Sequence, residues 1–231
     1  MKIKKDSLTP SGNTGILFPD GSTTIPSISW QNESNTGLYR ESENKISISV
    51  GGSKVGTIGS DYGAFRGNVV QCLVNRYDTQ TTVTTGTSSS GIEITGLRVT
   101  ITPKFSNSLI VCQFQIHGEG ASTHNFMYNV YKDGIVPTGN YAGFNTIQGD
   151  NIWSGISMAL PFESDYSNTP YTKTFLYHDY PGTTSAIIYA PGVKSTNGSS
   201  YIYYINRAVS GTGSSEVEAG VSYSMIWEIA Q

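Results

Sequence analysis

The sequence predicts an all-β protein, with a short N-terminal β stalk or collar followed by a jelly-roll-like β-sandwich head, assembled as a trimer. From Val69 onward, apolar residues recur at every second position, and no window shows the period of a helix. The chain has 26 glycines, and they separate short apolar runs in the manner of turns. Only 13% of its residues are charged, roughly half the usual share. Ser, Thr and Asn fill the surface positions instead, as is typical of extracellular and virion β proteins.

The charge distribution excludes nucleic acid as an expected partner. Residues 1–68 contain 7 basic and 6 acidic residues, whereas residues 69–231 contain 7 basic and 11 acidic residues. Neither part has the basic surface that binding to phosphates requires.

The expected location is a virus particle. No secretory signal follows Met1, and no apolar run approaches the ~20 residues that span a bilayer. An extracellular type of composition without an export signal suits a particle that is assembled in the host cytoplasm and released by lysis. We therefore expect no membrane insertion.

Residues 1–24 form the first segment, predicted to be a tail that docks on other virion proteins. The segment begins with a basic patch and continues with the turn residues Pro10, Gly12 and Gly15. A flexible tail with solvated charges and a docking segment that orders on its partner both fit this pattern. The candidate docking residues are Lys2, Lys4 and Lys5.

Residues 25–68 form the predicted collar and its connector. Ile46, Ile48 and Val50 alternate with polar residues and so share one face of a strand, and Gly51-Gly52 turns the chain into a second strand. Because one hairpin is marginally stable in water, it needs further apolar contacts. Either three chains close over a common seam, or the segment packs on the head as an outer layer. The candidate oligomerisation residues are Trp30, Tyr39, Ile46, Ile48 and Val50.

Residues 69–231 form the predicted head, with nine or ten strands separated by turns. Ile110, Cys112, Phe114 and Ile116 share one face of a strand. Asp133-Gly134 follows Phe126–Lys132 and is a strong hairpin signal. Further short strands are predicted at Ile152–Leu160, Thr172–His178, Ser185–Ala190 and Tyr201–Ile205.

The last strand has the clearest alternation in the chain. Val221, Tyr223, Met225, Trp227 and Ile229 face one way, and Ser222, Ser224 and Glu228 face the other way. This period of two predicts a strand with one apolar face and one polar face.

Two groups of motifs resemble those of tailed-phage fibre proteins, including fibres of marine and cyanobacterial phages. In the collar, the matching positions are Gly37-Leu38-Tyr39-Arg40 and Gly51-Gly52. In the head, they are Leu97–Lys104, Ser108–Val111, Asp133-Gly134 and Trp227-Glu228-Ile229. The resemblance covers most of residues 26–231. It implies a homotrimer with a stalk and a jelly-roll knob on a virion, attached to either the tail or the head, and it implies no catalytic residues.

The residues that could carry enzyme chemistry do not form a recognisable site. His117 and His124 are separated by six loop residues, a spacing that does not indicate a metal site. The acid pairs Glu163/Asp165 and Glu216/Glu218 lie among Ser, Asn and Gly, as solvated loop acids do. We therefore expect no catalytic residue, no metal and no cofactor.

Two questions about side-chain chemistry remain open in the sequence. Cys72 and Cys112 each lie in an apolar run, so a disulfide between neighbouring strands and two separate thiols both fit. A histidine from each of three chains on a threefold axis could also hold a metal.

Aromatic residues in and near the loops of the head form the candidate receptor surface. Of the 15 tyrosines in the chain, most follow residue 68. Aromatic rings beside amides and hydroxyls suit stacking on sugars, although rings of this kind can also fill a sandwich core or an oligomer interface. The candidates are Tyr141, Phe144, Trp153, Tyr166, Tyr171 and Tyr180.

Three functions follow from this reading, in decreasing order of support. The first is a trimeric virion fibre protein whose knob binds a host surface glycan or protein. The second is a capsid head-fibre or decoration protein with no receptor. The third is an enzyme that degrades surface polysaccharide, with Glu163 and Asp165 as its acids.

Overall fold

The computed structural model of the chain describes residues 18–60, 62–85, 91–121, 126–136, 169–195, 199–210 and 218–231, and the backbone of 157–160. The chain divides into two compact units, Met1–Val70 and Gln71–Gln231. Both units are built from antiparallel β-sheets. The prediction of an all-β protein is therefore confirmed.

The first unit contains a five-stranded meander, the collar sheet, in which each strand pairs with the next along the chain. Its strands are β1 Ile28–Trp30, β2 Glu33–Ser42, β3 Lys45–Val50, β4 Ser53–Ile58 and β5 Gly63–Phe65. Gly51 and Gly52 turn β3 into β4 with φ angles of 59° and 81°. Such positive angles suit glycine, because it has no Cβ to clash with the backbone. The predicted hairpin is confirmed, and it belongs to a larger sheet than the sequence indicated.

The collar sheet buries its polar face and leaves its apolar face exposed. Tyr39, Ser47 and Thr57 lie opposite one another on three strands and are buried. Ser47 Oγ lies 3.0 Å from Thr57 Oγ1 and donates to Glu41 Oε2 at 2.8 Å. The other side carries exposed apolar residues, the collar face, made up of Ile28, Leu38, Ile46, Val50, Ile58 and Phe65.

The second unit is a sandwich of two sheets. The front sheet contains β6 Val69–Tyr77, β7 Thr81–Thr84, β10 Leu109–Gly120, β13 Tyr171–Asp179, β15 Ile202–Ile205 and β16 Ser222–Ile229. The back sheet contains β8 Ile92–Glu93, β9 Val99–Ile101, β11 Phe126–Lys132, β12 Ser157–Leu160 and β14 Ile187–Ser195. A single 3-10 turn at Thr95–Leu97 joins β8 to β9 among the described residues.

The order of the strands is that of a jelly roll. In the front sheet, β10 pairs with β13 along one edge. Along its other edge, β10 pairs with β16 and, near its C-terminal end, with β15. β6 extends the sheet beyond β16, and β7 extends it beyond β15. In the back sheet the order is β12, β11 and β14, and then β8 and β9 on one edge of β14. Along the chain, the steps from β7 to β8, β9 to β10, β10 to β11, β12 to β13, β13 to β14 and β14 to β15 change sheet, and the other four steps stay within one sheet. This arrangement defines the double-sheet jelly roll, and it confirms the predicted class of the head.

The core lies between the two sheets and contains several tyrosines. Ile110, Cys112, Phe114 and Ile116 face inward from β10, as their spacing predicted. Tyr128, Tyr189 and Tyr203 are completely buried. Their hydroxyls are paired: Tyr128 Oη lies 2.5 Å from Tyr203 Oη, and Tyr189 Oη donates to Asp179 Oδ2 at 2.6 Å. A buried tyrosine needs such a partner because its desolvated hydroxyl is otherwise costly.

Strand β14 continues past the point where the sequence predicted its end. Pro191-Gly192 resembles a turn, so the predicted strand stopped at Ala190, but β14 extends to Ser195. On one side β14 pairs with β9 through Ile187–Tyr189 and with β8 through Gly192–Val193. Pro191 lies in the gap between these partners, where its missing N–H removes no ladder hydrogen bond on that side.

Candidate interaction surfaces

Glu228 on β16 points into the sandwich and is completely buried. Its Oε1 accepts hydrogen bonds from the Lys104 backbone N–H at 2.8 Å, the Phe105 N–H at 3.1 Å and Ser108 Oγ at 2.6 Å. Its Oε2 accepts one from Gln71 Nε2 at 2.5 Å. A buried carboxylate is costly unless donors surround it, and these four contacts tie the start of β6 and the loop before β10 to β16.

This network brings together three of the motifs of the head that the sequence singles out. Pro103 and Lys104 begin the loop before β10, Ser108 ends it, and Glu228 lies between Trp227 and Ile229. These motifs are separated by more than a hundred residues in the chain, and they meet at the Glu228 carboxylate. The motifs therefore encode a buried hydrogen-bond network that joins loop and strand.

The other inward polar residues of β16 are paired in the same way. Ser224 Oγ donates to the Leu97 carbonyl at 2.7 Å, and Ser222 Oγ donates to Asn206 Oδ1 at 2.7 Å. Asn206 Nδ2 in turn donates to the carbonyls of Tyr77 and Thr79, at 2.8 and 3.0 Å. These contacts fix which side of β16 faces the core, since a shift of one residue would move every side chain to the opposite face.

The apolar side of β16 therefore faces outward. Tyr223, Met225, Trp227 and Ile229 are only partly covered, whereas Ser222, Ser224 and Glu228 are buried. A strand in a sandwich normally presents its apolar side to the core. The alternation predicted from the sequence is confirmed, but its orientation is the reverse of that common arrangement.

Neighbouring strands extend this surface across the front sheet with apolar and uncharged polar side chains. Val111 lies opposite Trp227, Gln113 opposite Met225, and Gln115 opposite Tyr223. On the other edge of β10, Leu176 lies opposite Gln113. We call the outward surface of β6, β16, β13 and residues 109–117 of β10 the front face.

Strand β6 contributes the remaining edge of the front face. Leu73 and Tyr77 pack against the core, so the alternate residues Cys72, Val74 and Arg76 point outward. Among the described residues of Gln71–Gln231, Val74 and Leu176 are two of the most exposed aliphatic side chains, at 57% and 60%.

The front face carries little charge. Arg76 donates to Asp78 Oδ2 at 2.5 Å, and hydrogen bonds to Tyr223 and then to Asp78 raise the pKa of its guanidinium. None of the other outward residues of these strand segments is Lys, Arg, Asp or Glu. The face is therefore nearly uncharged, with mainly apolar side chains on β6 and β16 and the polar but uncharged Gln113 and Gln115 on β10.

The outer side of the back sheet differs, because it is buried within the chain. Met127, Asn129 and Tyr131 on β11 and Lys194 on β14 are all buried, although they point away from the core. Burial lowers the pKa of the Lys194 ammonium to about 8. Among the described residues, those on the outer side of the back sheet are thus buried, whereas several on the front face are exposed.

The predicted oligomerisation residues lie on both sides of the collar sheet. Ile46 and Val50 are exposed on the collar face, and Ile48 on the same side is partly covered. Trp30 is also exposed. Tyr39 is buried on the opposite side, so it is not available to a partner that binds the collar face.

Two of the predicted receptor residues can be placed. Tyr171 begins β13 and is partly covered. Tyr180 follows the strand and is exposed, with its ring 6.4 Å from that of His178 in an edge-on arrangement. The other candidates, Tyr141, Phe144, Trp153 and Tyr166, lie outside the described residues, as do Lys2, Lys4 and Lys5.

His117, Cys72 and Cys112 lie in different environments in the head. His117 Nδ1 lies 2.9 Å from Thr172 Oγ1, and burial lowers the pKa of its imidazole, partly offset by the nearby Glu218. Cys72 and Cys112 are free thiols on opposite sides of the front sheet. Burial, and secondarily Asp179, raises the pKa of the Cys112 thiol well above its usual value.

No group of three potential metal ligands occurs in the part of the chain that the structure describes. That part also lacks a helix of the length and apolarity that crossing a membrane requires. His124, Glu163, Asp165 and Glu216 lie outside it.

The chain is similar in structure to several solved chains. Its sequence matches no protein-family model and no curated protein. One of the solved structures is that of infectious bursal disease virus Gt strain, with 10% identity and a TM-score of 0.34. The match covers 91% of this chain and 60% of the viral chain, so this chain spans less than two thirds of that protein. At this score the likeness carries no argument, and the fold rests on the strand order itself.

Proposed function

We propose that this protein is a virion fibre protein, a homotrimer in which the first unit is the collar and the jelly-roll head binds a host surface glycan or protein. The observation that carries the proposal is a small sheet with an exposed apolar face, encoded directly before a jelly-roll domain. Exposed apolar faces of this size are typical of surfaces that associate. Jelly rolls occur in viral capsid and lectin domains, although the fold alone does not decide a function.

The binding residues in this proposal are the aromatic residues of the head, of which Tyr180 is exposed beside His178. A single aromatic site binds a sugar weakly, but three copies on one particle act together. Linked sites gain affinity because the second and third contacts form at a high effective concentration. No enzymatic activity and no cofactor are part of the proposal.

A capsid head-fibre or decoration protein is the second candidate, because exposed apolar faces serve structural assembly as well as receptor display. In both cases residues 1–24 dock on other virion proteins. The two candidates differ only in whether the head contacts the host.

The experiment compares virus particles assembled with the full chain, with a chain that lacks residues 1–24, and without the protein. A fibre protein predicts that particles without it adsorb to host cells at least tenfold more slowly. Unchanged adsorption would contradict receptor binding and favour the decoration protein. In either case the truncated chain should be missing from purified particles, and its presence there would contradict the docking role of the tail.

A further inference from the structure

The geometry points to the front face as a second self-association surface, through which the jelly-roll heads of different copies of this chain pack against one another. This inference rests on the proposed homotrimer and names a second copy of this chain as the partner that binds the front face. It adds a contact in the head to the one expected at the collar.

The inward polar residues make the exposure of this face a fixed property of the fold. Glu228 has four donors, and Ser222 and Ser224 each donate to a buried acceptor. Turning β16 over would bury Trp227 and Met225, but it would leave all these groups without partners, at a cost of about 1–3 kcal/mol for each. The chain therefore keeps the apolar side of β16 outward, where a second molecule can contact it.

The size of the front face suits a contact between proteins. Four strands about 4.8 Å apart and eight or nine residues long present roughly 600 Å² in projection. This projected area includes uncharged polar residues as well as apolar ones. Two such faces in contact remove roughly 1,200 Å² from water, which is the lower end of the range for specific interfaces.

The composition of the front face favours a second copy over an unrelated partner. Its one permanent charge, Arg76, is paired with Asp78 of the same chain, so like faces meet without repulsion. A partner chosen by charge would find almost nothing to pair with. Trp227, Met225 and Tyr223 are of the residue types enriched at protein interfaces.

The collar sheet supports the same occupant by an independent observation. It too buries Ser47 and Thr57 and exposes Ile46 and Ile58. One symmetric assembly supplies a matching apolar surface to both units, whereas a foreign partner would need two different surfaces.

Cys72 provides a native reporter of this contact. It is exposed on the front face, and the other thiol, Cys112, is completely buried. In a separate chain Cys72 should react with a maleimide as a free surface thiol does. In the assembly it should be protected, and dilution should restore its reactivity.

The test uses the full chain and the double substitution Val74→Glu with Leu176→Glu. Both side chains are more than half exposed, at 57% and 60%, so the substitutions place charge on the face with little effect on folding. Ile135→Glu is the matched control, because Ile135 is 70% exposed beside the turn after β11 in the back sheet. Circular dichroism checks that each variant is folded, light scattering gives the mass, and mass spectrometry follows the alkylation of Cys72.

We expect the wild type and the Ile135→Glu control to be oligomeric and at least tenfold slower in Cys72 alkylation than the double variant. Rapid alkylation of Cys72 in an oligomeric wild type would overturn the inference and leave the collar as the sole contact. Unchanged protection in the folded double variant would overturn it as well. A monomeric wild type would contradict both this inference and the proposed trimer.

Discussion

At the scale of single residues, Glu228 decides the orientation of β16. Without it, the backbone N–H groups of Lys104 and Phe105 would lose these two hydrogen bonds. Glu228 lies in a strand that is otherwise rich in apolar residues. Its carboxylate can be buried because hydrogen-bond donors surround it.

We expect Glu228→Ala to lower the free energy of unfolding of the head by at least about 3 kcal/mol, since hydrogen bonds to a charged group contribute about 1.5–3 kcal/mol each. Glu228→Gln keeps one oxygen for the loop and should cost less. Urea denaturation followed by tryptophan fluorescence measures both values. A loss below about 1 kcal/mol for the alanine variant would show that the network contributes little.

At the scale of elements, the collar sheet depends on tight turns between short strands. Gly51 has a φ of 59° and open space around the position of a Cβ. Gly63, in β5 of the same sheet, also has open space but no positive φ. Because neither glycine is crowded, alanine substitutions at the two positions differ only in the backbone strain at Gly51.

Gly51→Ala should destabilise the first unit by about 1–2 kcal/mol, the cost of the left-handed conformation for a residue with a Cβ. Gly63→Ala should be neutral or slightly stabilising, because it reduces the freedom of the unfolded chain. Thermal denaturation of the full chain compares the two variants. Equal effects would mean that the turn conformation is not what matters at Gly51.

The elements also show where local sequence is a reliable guide. Phe126–Lys132 coincides with β11, and Asp133-Gly134 turns the chain with φ angles of 52° and 78°. These features were predictable because alternation and turn chemistry are local. The extension of β14 through Pro191 was not, because it depends on a gap between two partner strands that lie about 90 residues earlier in the chain.

At the scale of the whole molecule, the collar sheet exposes its apolar face and buries its polar one, and strand β16 of the head does the same. For the collar this predicts that Ile46→Glu with Ile58→Glu breaks the contacts between its copies. The two residues lie opposite each other on β3 and β4 and are 51% and 50% exposed. Charge at both places would put like charges together around the axis of an oligomer.

Light scattering should then give a lower mass than the roughly 75 kDa of three 24.9 kDa chains. Ile25→Glu is the control, because Ile25 is exposed in the same unit but precedes β1. A folded collar variant that keeps the trimer mass would show that the collar face is not a contact between copies.

The sequence by itself determined the all-β class, the jelly-roll-like head and the alternation of its strands, because a period of two and turn chemistry are local properties of the chain. It also determined which residues of β16 share a side. Only the tertiary structure decided which side faces the core. That choice depends on donors from Gln71, the Lys104 loop and Ser108, more than a hundred residues from Glu228. Such distant donors reach the buried carboxylate only once the chain has folded, so a local sequence pattern does not predict these hydrogen bonds.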